Sequence, residues 1–244
     1  MPIIIILVSI IISLCWYYPC VKAQGDNKVL KKGDYIRSAI VYGFFFTCIL
    51  IIITEITWDN IVSRTGLTGL LKDIIANFFR AALLEEFFKF WGFKLAKKKL
   101  GINRKIDYML VAGLIGMVYG IVEKAAAGSI AAVFVGLAIP MHIAWQLNQG
   151  GYYYEYEELK AAGKQKEARI EWIKAVVCIF LMHGIWDSVI DIFGYLVSQD
   201  DVIYSASGAV FGIVMIVIGV FYCVKTILKT RIIAKEAAMP EIRQ

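Results

Sequence analysis

The amino-acid sequence predicts an all-α fold, a polytopic bundle of about seven transmembrane helices. Of its 244 residues, 59% are hydrophobic and only 19% are charged, whereas a soluble domain is about half apolar and about a quarter charged. The charges are grouped between apolar runs of about 20 residues, the length at which a helix crosses the hydrocarbon core of a bilayer. These runs do not alternate between apolar and polar residues, which argues against a transmembrane barrel.

Seven apolar runs along the chain are the predicted spans. They lie at about residues 2–21, 37–57, 73–96, 107–126, 129–150, 171–197 and 204–228. No repeat or linker separates them, so residues 1–244 are predicted to form a single transmembrane domain whose motif-bearing core covers about residues 73–197. The first run lacks a basic start and carries Trp16, Tyr17 and Tyr18 where a signal peptide would be cleaved, so we expect a retained span.

Basic residues alternate with the spans and predict the orientation of the chain. The first, third and fifth loops and the C-terminal tail are rich in lysine and arginine, whereas the loops between them are not. By the positive-inside rule, the N-terminus lies outside and the C-terminus in the cytoplasm. The net charge of +6 is explained by these loops. We therefore expect a multi-pass protein of the cell membrane that contacts the lipid bilayer and no nucleic acid.

Several predicted spans contain ionisable side chains, which are expensive in lipid and therefore indicate a functional site. The third to sixth spans contain Glu85, Glu86, Lys89, Glu123, His142, His183, Asp187 and Asp191. The alternative is that these groups only hold helices together as buried pairs. Because acids and both histidines of the chain occur on four successive spans, a functional site is favoured over simple packing.

Helical spacing predicts which of these side chains share a face. Glu85 and Lys89 are four residues apart and can pair. Glu86 points about 100° away from Glu85 and can reach another helix. His183 and Asp187 are also four residues apart, and Asp191 lies one turn further along the same stripe of the sixth span.

A stripe of glycines predicts how Glu123 is directed. Gly116 and Gly120 form a GxxxG pair on the fourth span, which permits close contact with another helix. The stripe continues to Glu123, so we expect its carboxylate to face a neighbouring helix rather than lipid.

Carboxylates together with imidazoles support two kinds of hydrolytic site. They can bind a divalent metal ion such as zinc, here with His142, His183 and Glu86 as its ligands. They can also activate water without a metal, with Glu86 as general base and a histidine that orients the water or stabilises the oxyanion. Glu85 would then pair with Lys89 or share the role of base. The sequence has no HExxH, GxSxG or Walker motif, so zincin, serine-hydrolase and nucleotide-binding functions have no support.

Four short motifs, in the same order, resemble those of the PrsW family of intramembrane proteases. The matching positions are, in chain order, Glu85-Glu86-x-x-Lys89, the glycine-rich helix that ends at Glu123, Pro140-x-His142 and His183-Gly184-x-x-Asp187. Together they cover roughly residues 75–190. Two positions depart from the family pattern: Lys124 stands where an asparagine is usual, and residues 129–139 lack an arginine.

The resemblance implies a membrane-embedded endopeptidase, similar to the wider CAAX-protease and bacteriocin-processing superfamily. It implies a membrane protein or peptide as substrate, such as a single-span anti-sigma factor cut on its extracytoplasmic side. By motif, the catalytic residues would be Glu85, Glu86, His142 and His183, and the supporting residues would be Lys89, Glu123 and Asp187.

Three alternatives remain open from the sequence. The first is a CAAX-like protease that processes peptides. The second is a non-catalytic membrane scaffold that keeps the polar helices. The third is an ion or proton transporter, because carboxylates and histidines in spans also form relays, although the chain lacks the inverted repeat of many transporters.

Overall fold

The structure is a computed structural model that describes residues 2–24, 31–127, 138–198 and 202–238. Every element in these ranges is helical. The α-helices, in chain order, are α1 (Pro2–Lys22), α2 (Lys32–Ser38), α3 (Phe45–Thr65), α4 (Gly69–Ala76), α5 (Leu84–Leu100), α6 (Lys105–Ala127), α7 (Ala138–Ala161), α8 (Gln165–Ile173), α9 (Ile179–Val197) and α10 (Val202–Glu236). The π-helical stretches are Ala39–Phe44 between α2 and α3, Asn77–Leu83 between α4 and α5, and Lys174–Cys178 between α8 and α9.

Four helical segments of the described chain are long and apolar enough to cross a membrane, as expected for an all-α membrane protein. They are Gly33–Thr54, Lys105–Glu123, Gln165–Val197 and Val202–Glu236. These segments overlap the predicted second, fourth, sixth and seventh spans. The other three predicted spans also fall on helices, α1, α4 with α5, and α7, although residues 129–137 of the fifth span lie outside the described residues. The count of seven spans and the orientation remain predictions.

Helix α6 lies at the centre of the bundle. Every residue from Ile106 to Gly116 is buried, and the helix contacts α1, α5, α7 and the π-helical stretch before α3. A helix that is largely apolar on all sides suits this position, because no face of it has to meet solvent. The most extensive contact of α6 is with α7, and small residues let two such helices approach closely.

Helix α1 packs against α6 through buried polar contacts as well as apolar ones. The Tyr17 hydroxyl donates to the Leu110 carbonyl oxygen over 2.8 Å. Three residues earlier on α6, the Asp107 carboxylate accepts from the Tyr35 hydroxyl at 2.8 Å and from the Arg104 guanidinium at 2.8 Å. Arg104 lies in the loop before α6, and its hydrogen bond to Asp107 raises the pKa of the guanidinium. These contacts join the first half of α6 to α1 and α2.

Apolar side chains cover the outer surface of α10. More than half of each of these side chains is exposed: Val202, Val210, Ile213, Val217 and Phe221. A soluble monomer rarely exposes so large an apolar surface, whereas in a bilayer these side chains would contact acyl chains. The surface of α10 therefore agrees with a membrane protein.

The π-helical stretch Asn77–Leu83 fixes the start of α5 against α9. The Asn77 side-chain nitrogen Nδ2 donates to Asp191 Oδ2 over 2.7 Å. Asp191, which helical spacing grouped with His183, therefore binds this stretch. Single π-helical turns occur frequently beside functional sites, and this one ends at Leu83, two residues before Glu85.

Candidate active site

Four helices bring ionisable side chains to one cluster. The helices α5, α6, α7 and α9 contribute Glu85, Glu86, Lys89, Glu123, His142, His183 and Asp187. We call these seven residues the acid–histidine cluster. They are the site residues that the sequence predicts, and the structure brings all of them together, while their role in catalysis stays a prediction.

The cluster lies at the helix ends that are remote from the basic loops. Helix α5 begins with Glu85 in its first turn and has Lys97–Lys99 in its last turn. Helix α7 carries His142 near the start of its described part and Lys160 in its last turn, about 27 Å further along at 1.5 Å per residue. The lysine-rich ends and the cluster are therefore on opposite sides of the bundle.

Lys89 is at the centre of the cluster, and its side chain is fully buried. Its ammonium nitrogen Nζ donates to Glu86 Oε1 over 2.8 Å and to Glu85 Oε2 over 3.2 Å. The same nitrogen lies 2.9 Å from His142 Nδ1 and 4.1 Å from the centre of the Tyr119 ring, a cation–π distance. A lysine ammonium has three N–H donors, so each of them has an acceptor here.

The two adjacent acids have different surroundings. Glu86 accepts not only from Lys89 but also from Gln146 Nε2 over 2.6 Å, and its Oε1 lies 2.9 Å from His183 Nδ1. Glu85 Oε2 receives from Lys89 only the longer contact of 3.2 Å. A carboxylate has about four lone-pair sites. Glu86 is therefore the more firmly held of the two, and Glu85 has more capacity left for a water molecule.

The hydrogen bonds of His142 determine which of its nitrogens carries the proton. Its Nδ1 faces the Lys89 ammonium, which can only donate, so Nδ1 accepts. Its Nε2 lies 2.8 Å from Glu123 Oε2, which accepts when it is ionised. His142 is thus a neutral imidazole with its proton on Nε2.

His183 has a carboxylate oxygen at each ring nitrogen. Its Nδ1 lies 2.9 Å from Glu86 Oε1, and its Nε2 lies 3.1 Å from Asp187 Oδ2. Carboxylates accept hydrogen bonds, so both contacts are satisfied when the ring carries two protons. His183 is therefore arranged as an imidazolium, in contrast to His142.

Two residues of α7 outside the predicted site set complete the cluster. The Trp145 ring stacks on the His183 ring with centroids 4.6 Å apart, and Gln146 donates to Glu86. Gln146 lies one helical turn after His142, so the spacing of four could have placed it in the site; Trp145 has no comparable signal. The atoms Trp145 Nε1 and Gln146 Oε1 are buried without a hydrogen-bond partner in the structure, which is uncommon for buried polar atoms.

The cluster is closed around Lys89 and opens at Glu123 and Asp187. These two acids have side chains that are 32% and 28% exposed, so they form the rim. Between Glu85 Oε2 and His183 Nε2 there is a gap of 3.8 Å, which is too long for a hydrogen bond. An oxygen atom to one side of the line that joins these two atoms could lie within hydrogen-bond distance of both.

The described residues include one group with the composition of a metal site. Glu85, His142 and His183 offer ligand atoms within 4.8 Å of one another. The carboxylate of this group is thus that of Glu85, whereas the sequence analysis named Glu86 as the ligand. Carboxylate and imidazole ligands suit zinc. However, Lys89 Nζ lies 2.9 Å from His142 Nδ1 and 3.2 Å from Glu85 Oε2, within hydrogen-bond distance of two of the three ligands. Because a second cation would be repelled there, the residues as arranged do not fit a divalent metal ion.

Comparison with known proteins finds no match to this chain among protein-family models, curated proteins or solved structures. The resemblance to the PrsW family therefore rests on its four sequence motifs, and membership of that family is a proposal.

Proposed function

We propose that this protein is an intramembrane endopeptidase of the PrsW type, which hydrolyses a peptide bond of a membrane protein. The observation that carries the proposal is the buried acid–histidine cluster, in which side chains from four helices lie within hydrogen-bond distance of one another. Ionisable groups inside membrane segments are expensive and usually functional. The order of the four motifs supports the same assignment.

Glu85 is the general base in the proposed reaction. A water molecule in the gap between Glu85 and His183 gives a proton to Glu85 as its oxygen attacks the carbonyl carbon of the scissile peptide bond. The electron pair of the carbonyl bond moves to its oxygen, and the positive charge of the His183 imidazolium, whose N–H groups donate to Glu86 and Asp187, stabilises this oxyanion. Glu85 then passes the proton to the amide nitrogen as the C–N bond breaks. The products are a new carboxyl end and a new amino end.

The remaining members of the cluster hold the reacting groups in position. Glu86, the base suggested by the sequence alone, is held by three donors and fixes His183. Lys89 directs the two acids and the Nδ1 atom of His142 toward one point. The proton on His142 Nε2 is donated to Glu123, which holds this acid at the rim. A charge that is fixed in place before the reaction, such as that of the His183 imidazolium, needs no reorganisation at the moment of reaction, which is a main source of electrostatic catalysis.

The proposed protein crosses the cell membrane seven times, with the N-terminus outside and the C-terminus in the cytoplasm. The lysine-rich ends of α5 and α7 then lie at the cytoplasmic surface, and the acid–histidine cluster lies in the outer half of the bilayer. A substrate would be cut toward its extracytoplasmic side. A single-span membrane protein such as an anti-sigma factor fits this geometry, and a CAAX-like peptide substrate would use the same chemistry.

Mass spectrometry of new protein N-termini in whole membranes tests the proposal and does not require a chosen substrate. Cells would express the wild-type chain, Glu85→Gln, His142→Ala or the control Glu158→Gln, which changes an exposed acid on α7. We expect new N-termini of membrane proteins with the wild type and the control, and their loss in both cluster variants at equal accumulation. Equal sets of N-termini in all four strains would contradict the proposal. A scaffold would instead change the abundance of its partner, and Glu85→Gln would leave that effect intact.

A further inference from the structure

The Lys89 ammonium has the surroundings that a bound metal ion would have. Two carboxylate oxygens and one imidazole nitrogen lie within 3.2 Å of Nζ. The Tyr119 ring covers it at 4.1 Å, and the side chain has no exposed area. Carboxylate oxygen and imidazole nitrogen are also the usual ligands of borderline divalent metals.

Two of these three acceptors belong to the metal-like group. Glu85 and His142 each contact Lys89, and their ligand atoms lie within 4.8 Å of a nitrogen of His183. Metal–ligand bonds to nitrogen and oxygen are about 2.0–2.2 Å long, so an ion bound through Glu85 Oε2 and His142 Nδ1 would compete with the ammonium for the same two atoms. The two cations exclude each other.

The charges of the cluster require a cation at this point. The described side chains of the cluster include four carboxylates, those of Glu85, Glu86, Glu123 and Asp187, against Lys89 and the imidazolium of His183. Removing one partner of a buried ion pair leaves an uncompensated buried charge, which is strongly unfavourable. Without the ammonium, Glu85 and Glu86 would therefore attract another cation.

We propose that Lys89 is a built-in cation that takes the place of a metal ion, and that its removal opens a latent site for a divalent metal. The ligands of the latent site are Glu85, His142 and His183. The native protein binds no divalent metal in the cluster. A variant with a small neutral residue at position 89 binds a metal of the class that prefers imidazole and carboxylate, such as Co²⁺ or Zn²⁺.

Cobalt binding to the purified full-length chain tests this proposal. The protein would be purified in detergent through a tag without histidine, equilibrated with Co²⁺, dialysed, and measured by elemental analysis and by visible absorption of the bound ion. We expect about one cobalt per chain in Lys89→Ala, and at least tenfold weaker binding in the wild type, or about 1.4 kcal/mol. The control Lys97→Ala removes a lysine that pairs with Glu157 at the other end of α5 and should behave as the wild type.

Two further variants identify the metal ligands and keep the test informative if Lys89→Ala misfolds. The double variant Lys89→Ala with His142→Ala should lose the bound cobalt. Lys89→Ser serves the same purpose if Lys89→Ala does not accumulate. Wild-type protein that retains one cobalt, lost in His142→Ala, would overturn the proposal. A monodisperse Lys89→Ala protein without cobalt would also overturn it. Neither result needs a substrate, so the test is independent of the proposed function.

Discussion

Gly116 of α6 lies so close to Gln146 of α7 that a Cβ atom at position 116 would come within 2.5 Å of the Gln146 Cγ atom. One turn later, a Cβ at Gly120 would come within 2.9 Å of His142 Cδ2. The GxxxG pair therefore does more than bring two helices together. The two glycines leave room for Gln146, which contacts Glu86, and for His142, which contacts Glu123.

Replacing Gly116 by alanine should damage the site as well as the packing. The added methyl group would displace Gln146 or the His142 backbone, and overpacking of this kind costs about 1–3 kcal/mol. We expect a lower midpoint of thermal unfolding in detergent and a loss of cleavage products in the proteomic assay. Gly194→Ala in α9 is the matched control, because no atom lies within 4 Å of a Cβ there. Equal behaviour of the two variants would show that position 116 is not tightly packed.

Glutamine substitutions of the adjacent acids should separate a positioning role from a catalytic one. Glu86→Gln removes the charge that holds Lys89 and His183, and breaking a buried pair in this way costs about 3–5 kcal/mol. Glu85→Gln loses one longer contact to the Lys89 ammonium and should cost less, about 1.5–3 kcal/mol. Relative to the wild type, the Tm should therefore fall by roughly 6–20 °C in Glu86→Gln and by less in Glu85→Gln for a chain of this size. A Glu85→Gln protein that is the less stable of the two would refute this assignment.

Gln146 should be needed for cleavage although it carries no charge. Gln146→Leu removes the 2.6 Å hydrogen bond to Glu86, and a hydrogen bond to a charged group contributes about 1.5–3 kcal/mol. We expect cleavage products to fall by roughly one to two orders of magnitude while the protein accumulates normally. Gln165→Leu, an exposed glutamine at the start of α8, controls for the loss of an amide. Unchanged cleavage in Gln146→Leu would remove Gln146 from the site.

The basic end of the bundle offers a stability prediction that does not involve the site. Glu157 of α7 accepts from Lys97 of α5 and from the Tyr108 hydroxyl of α6, so it joins three helices. Glu157→Gln should lower the free energy of unfolding by about 1.5–3 kcal/mol, the usual range for hydrogen bonds to a charged group. The neighbouring Glu158→Gln should be neutral. Denaturation in detergent, followed by circular dichroism, would measure both variants, and equal values would contradict the role of Glu157.

The proposed topology can be checked with reporters fused to the loops. A reporter that is active only outside the cytoplasm should be active after residue 66 and inactive after residue 163 or at the C-terminus. Gly66 follows α3 and Gly163 lies between α7 and α8, so insertions at these turns should spare the helices. Activity at both Gly66 and Gly163 would rule out the alternating loops that the basic residues predict.

Much of the cluster follows from helical spacing alone. The spacing of four predicts the contact between Glu85 and Lys89, observed at 3.2 Å, and the contact between His183 and Asp187, observed at 3.1 Å. It also allows Glu86 to reach a different helix, as it does through His183. Apolar runs of sufficient length predict the helical fold, since few other structures form all the hydrogen bonds of the backbone N–H and C=O groups within lipid.

Other features could not be predicted because they depend on tertiary packing. The shorter bond of Lys89 goes to Glu86 rather than Glu85, which depends on the rotamer of a long, flexible side chain. Asp191 lies on the stripe of His183 by spacing, yet it accepts from Asn77. The stacking of Trp145 on His183 joins two helices that are distant in the sequence, and no local pattern indicates it.

The π-helical stretch Asn77–Leu83 makes the number of residues before the adjacent acids critical. A π-helical turn holds one more residue than an α-helical turn, and each residue of an α-helix advances the rotation by about 100°. Removing one residue from this stretch would therefore turn Asn77 away from Asp191, or turn Glu86 away from His183. Substitutions within the stretch should be tolerated more readily than a one-residue insertion or deletion. The number of residues in the stretch sets the rotation that lets Asn77 face Asp191 and Glu86 face His183 at the same time.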